Sequence, residues 1–179
     1  MAAKIVSRIS NDKNYSYVNL FTLDAGYENA AYEACSQVLV CGPGHVRPYA
    51  LVPLMYRGRL APFAIPLHSN IRWDLPSRWF VPASRTPKTR RGNHRGFDIP
   101  KMVPVNPDVV SVFEWVSSPM PIQYQLVSLY PTLVSKAQAY LDECVNGDGF
   151  NEWSVDVDAI SRWVLPAFDI HARKLPLAS

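Results

Sequence analysis

The chain has 179 residues, 48% of them hydrophobic and 18% charged, with three cysteines and a formal net charge of +3. That length suits one domain with a sizeable core, and the composition excludes general disorder. No run approaches the roughly 18 apolar residues of a membrane span, and Met1 to Arg8 lack the apolar centre of a signal peptide, so a cytoplasmic protein without a membrane partner is expected.

The charges are segregated. Residues 1–56 balance, residues 57–101 carry ten Lys/Arg against only Asp74 and Asp98, and residues 102–179 carry four against nine acids. A basic middle of this size points to a polyanionic partner, or else to a solvated loop balanced by acidic C-terminal helices. Cys35, Cys41 and Cys144 are odd in number and lack metal-type spacing, so they read as reduced, mostly buried thiols.

In chain order, Lys4 to Ser10 alternates as a first strand, and the Asn/Asp/Lys stretch after it is a turn. Tyr15 to Leu23 is ambiguous. Asp24 caps a helix whose apolar face includes Tyr27, Ala30, Ala31 and Ala34. Val38 to Cys41 either ends that helix or forms a short strand, and Gly42-Pro43-Gly44 stops it. A hairpin follows: Arg47 to Leu54 leads up to Tyr56-Arg57-Gly58-Arg59, and the chain returns through Leu60 to Leu67. On the return arm Phe63, Ile65 and Leu67 point one way, with Ala64, Pro66 and His68 the other. Residues 72–98 are rich in Arg, Pro, Ser and Thr, and Thr86 to Arg95 has neither period nor apolar anchor, which predicts an exposed, mobile loop. Sixteen prolines, several in strand-like runs, predict edges, bulges and a small, partly open barrel rather than a flat sheet.

The C-terminal part is helical. Leu126, Leu129, Leu133, Ala137, Tyr140 and Cys144 describe an amphipathic helix ending at Asn146-Gly147, with Pro131 kinking it or restarting it. A second helix is expected from near Ser154 through Ile160, Trp163 and Val164. The fold class is therefore α+β: a single domain over 1–179, with a curved antiparallel β core mainly in 4–105 and a helical part in 120–170.

Metal-binding, Walker-type and nucleophile-elbow motifs are missing from the sequence, so no cofactor is expected. What remains is chemistry that His, Lys, Arg and Ser perform unaided, and cleavage of RNA by its own 2′-hydroxyl is such chemistry. His68 is the candidate proton-transfer group, or a surface histidine at a strand end. Ser69 orients a phosphate or caps a turn. Lys101 and Arg47 contact the phosphate, or in the case of Lys101 stay solvated. Asp98 is expected to orient an arginine or a backbone amide. Arg57, Arg59, Asn70, Arg72, Lys88, Arg90, Arg91, His94 and Arg95 are the candidate RNA-binding residues. Trp73, Trp79 and Tyr56 either stack on bases or pack in the core.

Arg47-Pro48-Tyr49-Ala50-Leu51-Val52, the Gly turn, Phe63-Ala64-Ile65-Pro66-Leu67-His68-Ser69-Asn70-Ile71 and Gly96-Phe97-Asp98-Ile99-Pro100-Lys101 together resemble the toxins of type III toxin–antitoxin systems. The likeness is to the TenpN branch first, with ToxN and AbiQ as more distant cousins, and it is clearest over residues 45–105. The resemblance implies a strongly curved antiparallel core with peripheral helices, similar to MazF/Kid-type toxins. It implies metal-independent endoribonuclease activity leaving 2′,3′-cyclic phosphate and 5′-hydroxyl ends. It also implies a partner, a small non-coding antitoxin RNA whose pseudoknot repeats assemble with the toxin into a closed hetero-oligomer. By position, Arg47 matches the basic residue opening the hairpin, His68 and Ser69 fall on the Thr and Ser of a Pro-Leu-Thr-Ser cluster, and Lys101 falls on the Lys of a Gly-Leu-Asp-Phe-x-Lys-like motif. Two positions depart: His68 replaces a hydroxyl residue, and Asn70-Ile71-Arg72 stands where a Lys closely follows the Ser, so the charge falls to Arg72 or to Lys101. The rival expectation is a non-catalytic β-barrel RNA-binding protein that uses the basic segment 57–95. A protein-interaction module using the C-terminal helices leaves that segment unexplained.

Overall fold

The computed structural model describes residues 9–12, 15–42, 44–114, 120–147 and 149–164. The expected strand residues 4–8 and the stretch after Val164 lie outside them. The ambiguous stretch 15–23 resolves into strands: β2 (Tyr15–Val18) pairs with β1 (Ile9–Asp12), which takes in Asn11 and Asp12 of the expected turn, as a separate two-stranded hairpin, and β3 (Phe21–Leu23) joins the main sheet. Asp24 caps α1 (Ala25–Ala34), its carboxylate accepting the Tyr27 N–H at 3.1 Å, which satisfies one of the orphan donors of a helix start. Val38 to Cys41 adopts neither of the forms expected of it and runs irregularly to the hairpin.

That hairpin is the centre of the molecule. β4 (Tyr49–Tyr56) and β5 (Arg59–Ile71) pair without interruption from Tyr49↔Pro66 to Tyr56↔Arg59. The two-residue turn has Arg57 at φ 48° and Gly58 at φ 77°, the mirror-image turn whose twist matches that of the strands it joins. β5 then passes from β4 to its other neighbours, β7 (His94–Asp98) and the short β8 (Val103–Pro104). With β6 (Phe80–Pro82) and β9 (Val110–Val112) the sheet runs β6-β7-β5-β4-β3-β9, antiparallel throughout, with β8 on β5. The sheet remains open.

Alternation along the hairpin feeds two cores. Ala50, Val52, Leu54, Tyr56, Phe63, Ile65 and Leu67 enter one, and Tyr49, Leu51 and Ala64 the other. The first is covered by α2 (Pro121–Asn146) through Ile122, Leu126, Leu133, Ala137, Tyr140 and Leu141. The second is covered by α1 and by α3 (Val157–Val164), through Tyr27, Ala31, Ile160 and Val164. Each fully buried aliphatic or aromatic side chain contributes about 1.5–3 kcal/mol. This two-sided burial is why the hairpin reads as nearly continuous apolar sequence.

The prolines correct the edge-strand expectation, because Pro53, Pro62 and Pro66 lie inside the central hairpin. Counting back from the turn, hydrogen-bonded pairs alternate with non-bonded ones, and Pro53↔Pro62 and Tyr49↔Pro66 fall at non-bonded positions where the missing N–H interrupts no β4–β5 bond. Beyond the β3 pairing at Tyr49, the outward groups of Leu51 and Met55 on β4 are met by α2. Tyr130 donates its hydroxyl to the Leu51 carbonyl at 2.8 Å, and the Gln138 amide takes the Met55 N–H at 2.7 Å and donates to its carbonyl at 2.9 Å. A helix thus covers a strand edge that would otherwise template pairing. α2 runs unbroken through Pro131, which lies exposed.

Candidate active site

The β5–β7 register shifts between His68↔Gly96 and Ile71↔His94: Ser69 and Asn70 on β5 face the single residue Arg95 on β7. Such a bulge bends a strand and re-aims its side chains. Gly96 is required beside it, because a Cβ there would stand 2.2 Å from the Val81 carbonyl oxygen of β6.

His68 and Asp98 are diagonal neighbours on one face of the β5–β7 pair. The His68 Nδ1–H donates to Asp98 Oδ2 at 2.8 Å, with the histidine side chain 24% and the carboxylate 6% exposed. The acceptor is a carboxylate, which assigns the proton to Nδ1 and leaves Nε2 to exchange protons. Asp98 precedes the 3-10 turn Ile99–Lys101 without capping it by its side chain, so its oxygens stay available to the ring. The expectation that Asp98 serves an arginine or an amide is thereby corrected: it orients the histidine.

The 3-10 turn delivers Lys101. Its Nζ donates to Gln37 Oε1 at 2.8 Å and to the Trp153 carbonyl at 2.6 Å. Burial pulls the ammonium below the usual lysine range, opposed by Asp98 and Cys35 and assisted by Arg72. Asp98 thus serves both His68 and Lys101. Behind the lysine stands an aromatic wall, Trp153 against Trp79 at 5.4 Å and Trp79 edge-on to Tyr140 at 5.7 Å.

Arg47 enters from the other side. The Leu67 N–H bonds the Pro48 carbonyl at 2.9 Å, continuing the β4–β5 ladder one step and bringing Arg47 level with His68. Arg47 is half-buried, and its Nε is buried with no hydrogen-bond partner among the described residues. Around it lie Cys41, whose thiol burial pushes up and Arg47 pulls back, and the Tyr49 hydroxyl, which donates to Glu28 at 2.7 Å. Ser69 lies half-buried in the bulge.

The basic segment divides in three dimensions. Arg57 bonds Asp158 of α3 at 2.7 Å, Arg72 grips Asp74 at 2.9 and 2.5 Å, and Arg78 meets Glu143 of α2 at 3.2 Å, so part of the charge block is locally neutralised. Arg59 is exposed at the start of β5. Lys88, Arg90 and Arg91 are exposed, while His94 stacks on Phe80 at 4.9 Å. Arg95 is buried, its Nη1 donating to the Ser84 carbonyl at 2.6 Å, a structural clamp rather than the surface contact expected of it. The loop is also better held than its composition predicts: Arg85 bonds the carbonyls of Asn93 and Arg90, and Asn70 bonds Lys88 and Arg90. Asn70, a candidate RNA contact, holds the loop that carries the basic residues.

An open antiparallel sheet with flanking helices, carrying a histidine–carboxylate pair beside a strand bulge and a half-buried lysine on the 3-10 turn that follows β7, defines the class of the fold and site. No protein-family model matches the chain, and no curated protein matches it significantly. Solved structures that share the fold include the following three. The first comes from work on selective inhibition of a bacterial type III toxin by a non-coding RNA pseudoknot (TM-score 0.64, 19% identity, covering 84% of this chain and 98% of that one). The second belongs to a bacterial antiviral system regulated by a processed non-coding RNA (0.60, 16%, 80% and 95%). The third is AbiQ, a lactococcal anti-phage endoribonuclease of a type III toxin–antitoxin system (0.61, 16%, 87% and 98%).

Proposed function

We propose that this chain is a sequence-specific, metal-independent endoribonuclease toxin of the type III kind, acting in the cytoplasm, held in check by a small repeated non-coding RNA and serving in phage defence. The observation that carries the reading is the 2.8 Å His68–Asp98 bond beside Lys101, in a fold shared with an anti-phage endoribonuclease. In the reaction the 2′-oxygen of RNA bonds to phosphorus as the P–O5′ bond breaks. One proton leaves the 2′-hydroxyl and one reaches the departing 5′-oxygen, giving a 2′,3′-cyclic phosphate and a 5′-hydroxyl. His68 Nε2 moves one of these protons while Asp98 fixes the ring, and water carries the other. Lys101 and the half-buried Arg47 guanidinium stabilise charge on the phosphorane, and Ser69 holds a non-bridging oxygen. Lys88, Arg90 and Arg91 on the tethered loop hold the strand, and the antitoxin RNA occupies the same basic face.

The test is cleavage of RNA by purified protein in EDTA, with His68→Ala alongside and product ends determined chemically. Cyclic-phosphate ends from the wild type and a rate at least about 100-fold lower in the variant are expected. Tight RNA binding without cleavage overturns the enzyme in favour of a binding module.

A further inference from the structure

The three aromatics singled out in the sequence have separate fates. Tyr56 is 3% exposed and belongs to the core, and Trp79 packs between Trp153 and Tyr140. Trp73 is 73% exposed. Among the described residues Trp79, Trp153 and Trp163 each lean on another ring, whereas the Trp73 indole has no ring or polar partner.

One exposed aromatic is ordinary on any surface. The setting of this one is not. It is the second residue of a turn, Arg72 to Leu75, closed by the Leu75 N–H to the Arg72 carbonyl at 3.2 Å. The Arg72 guanidinium reaches across that turn to both oxygens of Asp74, so the backbone beneath the indole is braced on both sides. A braced turn fixes where the ring stands and lowers the ordering cost of using it. The turn also follows β5 directly, five residues beyond His68, which is roughly 17 Å at most along an extended chain. β5 ends at Ile71 and Arg72 opens the turn, so the indole is carried at the end of the same strand that carries His68.

We propose that Trp73 is a stacking platform for a nucleobase next to the scissile step, holding the strand that the His68–Asp98–Lys101 site cuts. The proposal rests on the ribonuclease reading and adds to it a subsite. A nucleobase fits the features: it is a flat apolar face, and an exposed indole on a braced turn offers the complementary surface. The distance from His68 assigns the ring to a neighbouring nucleotide rather than to the one being cut. Stacking tolerates any base, so the subsite supplies grip more than sequence choice.

Trp73→Ala and Trp73→Phe are compared with wild type, each first shown to melt at the wild-type temperature. On a cleavable oligoribonucleotide, Trp73→Ala is expected to raise KM roughly 5- to 100-fold with kcat nearly unchanged, and Trp73→Phe to recover most of the loss. Removing the base at one position beside the cut should weaken wild type by a similar factor and leave Trp73→Ala unaffected. Binding is measured separately with an uncleavable 2′-O-methyl oligonucleotide, following tryptophan fluorescence, where quenching should vanish in Trp73→Phe. Unchanged KM, affinity and quenching overturn the platform even if cleavage is robust. Trp73-dependent binding by a protein that cleaves nothing sinks the ribonuclease reading and keeps the platform. A change of oligomeric mass in Trp73→Ala with RNA affinity intact makes the indole a protein contact and overturns the proposal.

Discussion

The Asn70 side chain holds Arg90 by its backbone: Oδ1 accepts the Arg90 N–H at 2.8 Å, while Nδ2 donates to the neighbouring Lys88 carbonyl at 3.3 Å. The residue comes from the bulge of β5, so the strand that carries His68 also sets the position of the basic loop. Asn70→Ala should release that loop without unfolding the protein. RNA affinity is expected to fall about three- to tenfold, the scale of one or two lost hydrogen bonds, and amide exchange at Arg90 should accelerate. Unchanged exchange would remove Asn70 as the tether.

Asp98→Asn tests the orientation of the histidine. An amide cannot hold the ring in the same way, so cleavage should drop on the order of 100- to 10,000-fold, by analogy with losing the carboxylate of a catalytic triad. RNA affinity, read with an uncleavable analogue, should stay near wild type. If both fall together, the pair is structural.

Lys101 gives a pH signature. Burial lowers its folded value, so between that value and the unfolded one of about 10.4 the unfolded chain binds more protons. Stability should therefore rise with pH across that window as far as this group is concerned. The alkaline limb of the cleavage profile should fall below the ordinary lysine range, and Lys101→Arg, permanently charged, should lose that limb while cleaving more slowly.

Burial raises the Asp158 carboxyl, but the bonds from Arg57 and Tyr56 outweigh it and the net shift is downward. The sign follows: its contribution is fully present above about 3.8 and is lost as pH falls through the lower folded value. Asp158→Asn should melt at a lower temperature near neutral pH, and the gap should close in acid. A gap that stays constant as the pH is taken down from neutral through and well below 3.8 would assign the effect to packing.

Gly96→Ala forces a methyl group against the Val81 carbonyl. A loss of roughly 1–3 kcal/mol is expected in denaturant unfolding, with the β6 edge opening first in hydrogen exchange.

Local sequence carried the hairpin, its turn, the Asp24 cap and the apolar stripe of α2, because each depends on residues within one or two turns of each other. The site was half legible. His68, Ser69 and Lys101 announced themselves as polar residues at strand ends, but the Asp98 role depends on β5–β7 register across 30 positions, and no local pattern encodes that. Arg95 and Asn70 looked like surface groups by residue type. A buried carbonyl and a loop backbone claimed them, and only tertiary placement decides such competition. The prolines misled for a related reason: whether a missing N–H matters depends on bonding parity within the ladder.

The bond from Lys101 to the Trp153 carbonyl spans 52 positions. A ribosome making this chain delivers the histidine, the carboxylate, the lysine and its Gln37 partner long before Trp153, the second of the lysine's two anchors. On the proposed reading, an unfinished polypeptide tethered to its own messenger RNA lacks a completed cutting centre, and competence arrives only with the segment that carries Trp153. Synthesis order would then act as a safety delay, sparing the very transcript being translated.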